Sequence, residues 1–117
     1  MLNLKKLLTK LLPVAYSSPA TGWEQIYQNF TRAKRKGYVV AVTGESGSGG
    51  ITLPANQYKD IATLPSQYRP STTVAFYVDA AGGSERIFGR IWTTGVVSLY
   101  SSGQTAYWNF GVTYIVD

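Results

Sequence analysis

The groups that could do chemistry in this 117-residue chain are few: Glu24, Glu45, Asp60, Asp79, Glu85 and Asp117, with neither histidine nor cysteine. Without histidine and cysteine there is no Ser-His-Asp or Cys-His dyad and no thiolate metal site. A glycosidase needs two carboxyl groups at a defined separation, one of them with a raised pKa. No spacing in the sequence pairs any two of these acids, so they read as solvated surface groups. Asp79 and Glu85 share a loop, but that loop lacks the dense oxygen ligands of a calcium site. Neither a metal nor an organic cofactor is expected.

Two further stretches invite a chemical reading. The loop Gly44-Glu45-Ser46-Gly47-Ser48-Gly49-Gly50-Ile51-Thr52 resembles a phosphate-binding loop, but Gly50 stands where the lysine is required and no helical pattern follows. It reads as a flexible connection. The basic run Arg32-Ala33-Lys34-Arg35-Lys36 contributes to a net charge of +5. Strand alternation places Arg32, Lys34 and Lys36 on one face and Arg35 on the other, as in a solvent-facing or edge-protecting strand. Nucleic-acid binding would want more such positions interleaved with stacking aromatics, and is not expected.

The surplus is aromatic, with nine Tyr, four Phe and three Trp. Trp92, Tyr100, Tyr107, Trp108 and Tyr114 crowd the last third of the chain. Some belong to the core or a subunit interface. Tyr77, Trp92 and Tyr107 fall outside the best apolar stripes and beside Gly/Ser turns, where such rings suit sugar stacking or a protein interface. They are the candidate ligand-binding residues.

The elements that position these residues follow from periodicity. Residues 1–13 carry Leu4, Leu7, Leu8 and Leu11 at i, i+3, i+4, i+7, which predicts a short amphipathic helix ended by Pro13. The eleven residues 2–12 are too few to hold a helix alone in water, so this stripe needs a surface to lie on. Its own domain, sister subunits, a partner or a membrane surface would serve, and Leu4, Leu7 and Leu11 fit a bundle seam. Residues 14–22 read as a linker.

From residue 23 to 117 the period becomes two. Strands are expected at Trp23–Gln28, Phe30–Arg35, Tyr38–Thr43, Thr72–Asp79, Arg86–Thr93, Val96–Tyr100 and Ala106–Val116, with a short one near Ile51–Leu53. Lys36-Gly37 and Thr94-Gly95 supply hairpin turns. Tyr58–Leu64 leads into Pro65, and Tyr68-Arg69-Pro70-Ser71 is a second proline-fixed turn. Val74, Phe76 and Val78 oppose Ala75 and Tyr77; Ile87, Gly89 and Ile91 oppose Phe88, Arg90 and Trp92. The last strand has Trp108, Phe110, Val112, Tyr114 and Val116 on one face. The expected fold is all-β, an antiparallel sandwich or jelly-roll-like domain behind a short N-terminal α-helix. No apolar run approaches the ~20 residues of a membrane span, and the interleaved lysines of the first residues break a signal-peptide core. A soluble, cytoplasmically made chain is expected.

In sequence order, three phrases carry a resemblance. They are Thr63-Leu64-Pro65-Ser66-Gln67-Tyr68-Arg69-Pro70-Ser71, then Gly89-Arg90-Ile91-Trp92-Thr93-Thr94-Gly95-Val96-Val97-Ser98-Leu99-Tyr100, then Thr113-Tyr114-Ile115-Val116. With the earlier Lys34–Val42 strand, this order resembles the C-terminal β domains of tail-fibre, baseplate and head-fibre proteins from phages and prophages of Gram-positive hosts. The resemblance implies a virion component made in the bacterial cytoplasm. It implies a homotrimeric tip that meets other phage structural proteins and recognises host cell-wall polysaccharide. A decoration or tail-assembly role without receptor binding is the alternative, and a wall-glycan hydrolase a third.

Overall fold

The computed structural model describes residues 24–27, 30–46, 51–80 and 86–116. Among the described residues eight strands follow one another: β1 (Glu24–Tyr27), β2 (Thr31–Lys36), β3 (Val39–Glu45), β4 (Gln57–Thr63), β5 (Val74–Ala80), β6 (Ile87–Ile91), β7 (Val96–Ser101) and β8 (Trp108–Ile115). One short 3-10 segment, Ser66–Tyr68, lies between β4 and β5. The expected helix over 1–13, with Leu4, Leu7, Leu8 and Leu11, and the linker over 14–22 lie outside the described residues. Among the described residues no helix is long and apolar enough to cross a membrane.

The strands are hydrogen-bonded in the order β1-β2-β3-β8-β5-β6-β7-β4, every neighbouring pair antiparallel. The sheet is curled into a half-barrel, and its two edges, β1 and β4, approach one another. Local hairpins build most of it. Between β2 and β3, Lys36 pairs with Val39 around Gly37 and Tyr38, and Gly37 has φ 59°. A positive φ at the first turn residue is what a type II′ hairpin demands, and glycine meets it without steric cost. Between β6 and β7, the Gly95 N–H donates to Trp92 O and the Trp92 N–H to Val96 O, closing a three-residue loop whose last residue, Gly95, sits at φ 89°.

The long-range step is β8, which enters between β3 and β5. Its Trp108, Phe110 and Tyr114 and the following Val116 are buried, while Asn109, Gly111, Thr113 and Ile115 face out. The strand with the most apolar face thus takes a central place, where both its edges are paired and its side chains reach both halves of the core. That core also holds Val40, Val42, Leu53, Ile61, Leu64, Tyr68, Ile91, Val97 and Leu99. Two of its aromatics have their polar ends satisfied: the Trp108 indole N–H donates to Ile51 O at 2.9 Å, and the Tyr114 hydroxyl to Tyr68 O at 2.5 Å.

Three expectations are corrected. Tyr58–Leu64, to which the periodicity assigned no strand, falls in β4 up to Thr63. A bulge between Asp60 and Ala62 makes Ile61 and Ala62 both buried, and this hides the alternation. β2 is not an edge along Thr31–Ala33, where β1 pairs with it. Arg32 and Lys36 do face solvent there, whereas Arg35 turns to the other face. Its Nε donates to Gly37 O and one terminal nitrogen to Gln67 O, both at 2.7 Å. The expected strand at Ile51–Leu53 reduces to a bridge in which Leu53 and Thr105 exchange backbone hydrogen bonds.

Candidate functional site

Because side chains alternate along a strand, the outward set on β4–β7 is decided once the inward set is buried. Ile87, Gly89 and Ile91 point into the core, so Phe88 and Arg90 point out. In register across the sheet, Tyr77 of β5 is opposite Phe88 of β6, Phe88 is opposite Tyr100 of β7, and Tyr100 is opposite Tyr58 of β4. Four aromatic rings therefore form one row across four adjacent strands, on the solvent side. Ring centroids lie 5.8 Å apart for Tyr77 and Phe88 and 5.2 Å apart for Tyr58 and Tyr100, both pairs tilted. Tyr77 is 83% exposed and Tyr58 45%.

The neighbouring outward row is polar. Arg90 is opposite Ser98, and Ser98 is opposite Asp60. The Trp92 indole N–H donates to Ser98 Oγ at 3.1 Å, and the Ser98 hydroxyl donates in turn to Asp60 Oδ1 at 2.6 Å. This chain holds the Trp92 ring edge-on to Tyr58, 6.4 Å between centroids. The Arg90 guanidinium carbon lies 5.6 Å from the Trp92 ring centre and 5.9 Å from that of Tyr58, within cation–π range of both. Tyr58, Tyr77, Phe88 and Arg90 line a shallow groove of about 390 Å³, where Ala75 contributes a small side chain between larger ones.

A second outward row crosses the junction of the sheet's two halves. Asn109 of β8 is opposite Asp79 of β5 on one side and Glu45 of β3 on the other. The fold thus aligns two carboxylates that the sequence spacing kept apart. Among the described residues no cluster of His, Cys, Asp and Glu could hold a metal ion.

Of the three rings singled out from sequence, Tyr77 and Trp92 join this face. Tyr107, 64% exposed, precedes β8 and does not line the groove. Tyr58, Phe88, Arg90 and Asp60 were missed. The outward phase of Phe88 and Arg90 was already readable from the Ile87/Gly89/Ile91 alternation. Tyr58 and Asp60 carried no comparable signal, since their strand is bulged. No family model matches the chain, and no curated protein matches it.

Proposed function

We propose that this chain is a phage or prophage virion component, a fibre- or baseplate-type tip domain that binds a host surface glycan on the outer face of β4–β7. One observation carries the reading: the row Tyr77–Phe88–Tyr100–Tyr58 lies across four strands on the solvent side. Rings exposed in a contiguous set mark an interaction surface, whereas scattered single ones do not. Here the set is bordered by Arg90, Trp92 and Asp60, so stacking surface and hydrogen-bonding groups adjoin. A pyranose offers the matching pair, an apolar C–H face and a rim of hydroxyls. Tyrosine and tryptophan suit such contacts because they bury large area with few rotamers to fix.

In this reading the curled sheet is an open relative of the sandwich or jelly-roll-like tip domains, and the chain works as a homotrimer. Three weak sites on one particle gain avidity because later contacts are effectively intramolecular. The leucine stripe of residues 4–11 supplies the attachment or trimer seam.

The test is a glycan array and sedimentation with Gram-positive cell walls, using the wild-type chain and a Tyr77→Ala/Phe88→Ala double variant, with light scattering for the oligomer. Binding by the wild type that the double variant loses is the expected result. A folded oligomer that binds no wall glycan overturns the reading. The second reading, assembly without receptor binding, draws on a different spot: Val39 and Ile115 are directly opposite one another and 46% and 73% exposed. An unchanged glycan profile together with loss of oligomer in Ile115→Lys would favour it.

A further inference from the structure

Resting on that reading, we infer that the aromatic face is one half of a longer track, and that its occupant is an internal segment of an extended, neutral glycan chain. The two halves of the track join at β5. Tyr77 and Asp79 are two residues apart and both exposed, so they share the outer face of that strand. Tyr77 ends the aromatic row, and Asp79 begins the row Asp79–Asn109–Glu45. The outer face therefore passes without interruption from β4 through β7, β6, β5 and β8 to β3.

Three grooves follow this path and share residues where they meet. The aromatic groove and a second one of about 260 Å³ have Tyr77 in common. The second and a third, of about 360 Å³, have Asn109 in common, and the third reaches Glu45 and Arg32. Five steps between neighbouring strands at about 4.8 Å each make a path of roughly 24 Å along the curved surface. A single sugar ring covers a fraction of this length. A chain of several rings, crossing the strands, can occupy it all.

Charge selects among such chains. The path carries the carboxylates Asp60, Asp79 and Glu45, all exposed, against the guanidiniums of Arg90 and Arg32. Arg90 is already held over Tyr58 and Trp92. Carboxylates accept hydrogen bonds from hydroxyl and amide groups and repel phosphate or uronate. A neutral polyol chain is complementary to this path and a polyanion is not, although the whole protein is cationic at +5. The division of labour is then plain: the β4–β7 end supplies stacking, and Asp79, Asn109 and Glu45 supply hydrogen bonds to the continuing chain.

The test is calorimetric titration of the full chain with β-1,4-linked N-acetylglucosamine and glucose oligomers of about two to six units, a length range set by the path above, and with polyglycerol phosphate. Affinity should rise with length by about tenfold or more. An Asp79→Ala/Asn109→Ala double variant, folded by circular dichroism, should bind the longest oligomer about three- to tenfold more weakly. It should leave the shortest unchanged, whereas Tyr77→Ala should weaken both. Equal affinity at all lengths, or no effect of the double variant while Tyr77→Ala still weakens binding, overturns the extended track and leaves the aromatic site standing. Preference for polyglycerol phosphate overturns the neutral chain. Binding to none of these overturns the inference. If the glycan array and wall sedimentation also fail, the proposed function falls with it. Self-association lost in Tyr77→Ala would give the face to a second copy of the chain.

Discussion

Gly89 lies directly beneath the ring of Phe76, its cross-strand partner: a Cβ on Gly89 would sit 2.1 Å from Phe76 Cε2. The same relation recurs on the other half of the sheet, where a Cβ on Gly44 would sit 2.4 Å from Phe110 Cε1. The two rings themselves meet at 4.8 Å, so the pair of glycines lets two aromatics lie over bare backbone and pack together. Gly89→Ala and Gly44→Ala should each cost about 1–3 kcal/mol through overpacking. Gly111→Ala is the control, since the nearest atom to its Cβ would be Thr43 Cγ2 at 3.9 Å. Urea unfolding of the three variants checks this; equal stability for all would refute it.

Gly95 is constrained by conformation as well as by space. At φ 89°, an added Cβ would come within 2.6 Å of the Leu64 carbonyl oxygen and 2.9 Å of Arg69 Nε, which donates to that same oxygen. Backbone cannot swing away as a ring can. Gly95→Ala should therefore destabilise by about 2 kcal/mol or more, combining left-handed strain with overpacking. Thermal melting would detect this as a fall in Tm of several degrees.

Removing the Ser98 hydroxyl breaks two hydrogen bonds at once. Ser98 is 2% exposed, accepts from Trp92 and donates to Asp60. Ser98→Ala should cost about 1–3 kcal/mol, because the Trp92 indole N–H loses its acceptor. It should also weaken glycan binding, since Trp92 is no longer held against Tyr58 and Arg90. Intact affinity in this variant would show that the ring needs no such support.

Exposure separates the binding aromatics from the structural ones. Tyr77→Ala should change stability by less than about 1 kcal/mol, as the side chain is 83% exposed. Trp108→Ala should cost about 3–5 kcal/mol, because the ring is 2% exposed and its N–H anchors the Ile51 carbonyl. Chemical denaturation read by circular dichroism distinguishes them.

Two buried tyrosines should respond oppositely to loss of the hydroxyl. The Tyr114 hydroxyl donates to Tyr68 O, while the Tyr68 hydroxyl is buried without a partner among the described residues. Tyr114→Phe should cost about 1–2 kcal/mol, and Tyr68→Phe should be neutral or slightly stabilising. Burial also raises the Tyr114 pKa above its ordinary value of 10.0. The folded state then keeps a proton that the unfolded chain releases, so this contribution is complete below pH about 10 and is lost as pH rises further. Tyr114→Phe should accordingly show a shallower alkaline loss of stability; an unchanged slope would refute the assignment.

The sequence by itself determined the inward and outward phase of most strands, because a period of two needs nothing beyond neighbouring residues. Ile87/Gly89/Ile91 against Phe88/Arg90, and Trp108/Phe110/Tyr114 against Asn109/Thr113, were legible for that reason, as were the glycine turns at Gly37 and Gly95. Tertiary structure alone decided which strands are neighbours beyond those hairpins. β4 pairs with β7 and β8 enters between β3 and β5, and these are non-local contacts that no local pattern encodes. Tyr58 joins Tyr100, and Asn109 comes between Asp79 and Glu45, solely through those pairings. The bulge at Ile61 further masked the alternation that would have placed Tyr58 and Asp60 outside. The aromatic face was thus half visible in the chain, and its continuation across β8 came only with the fold.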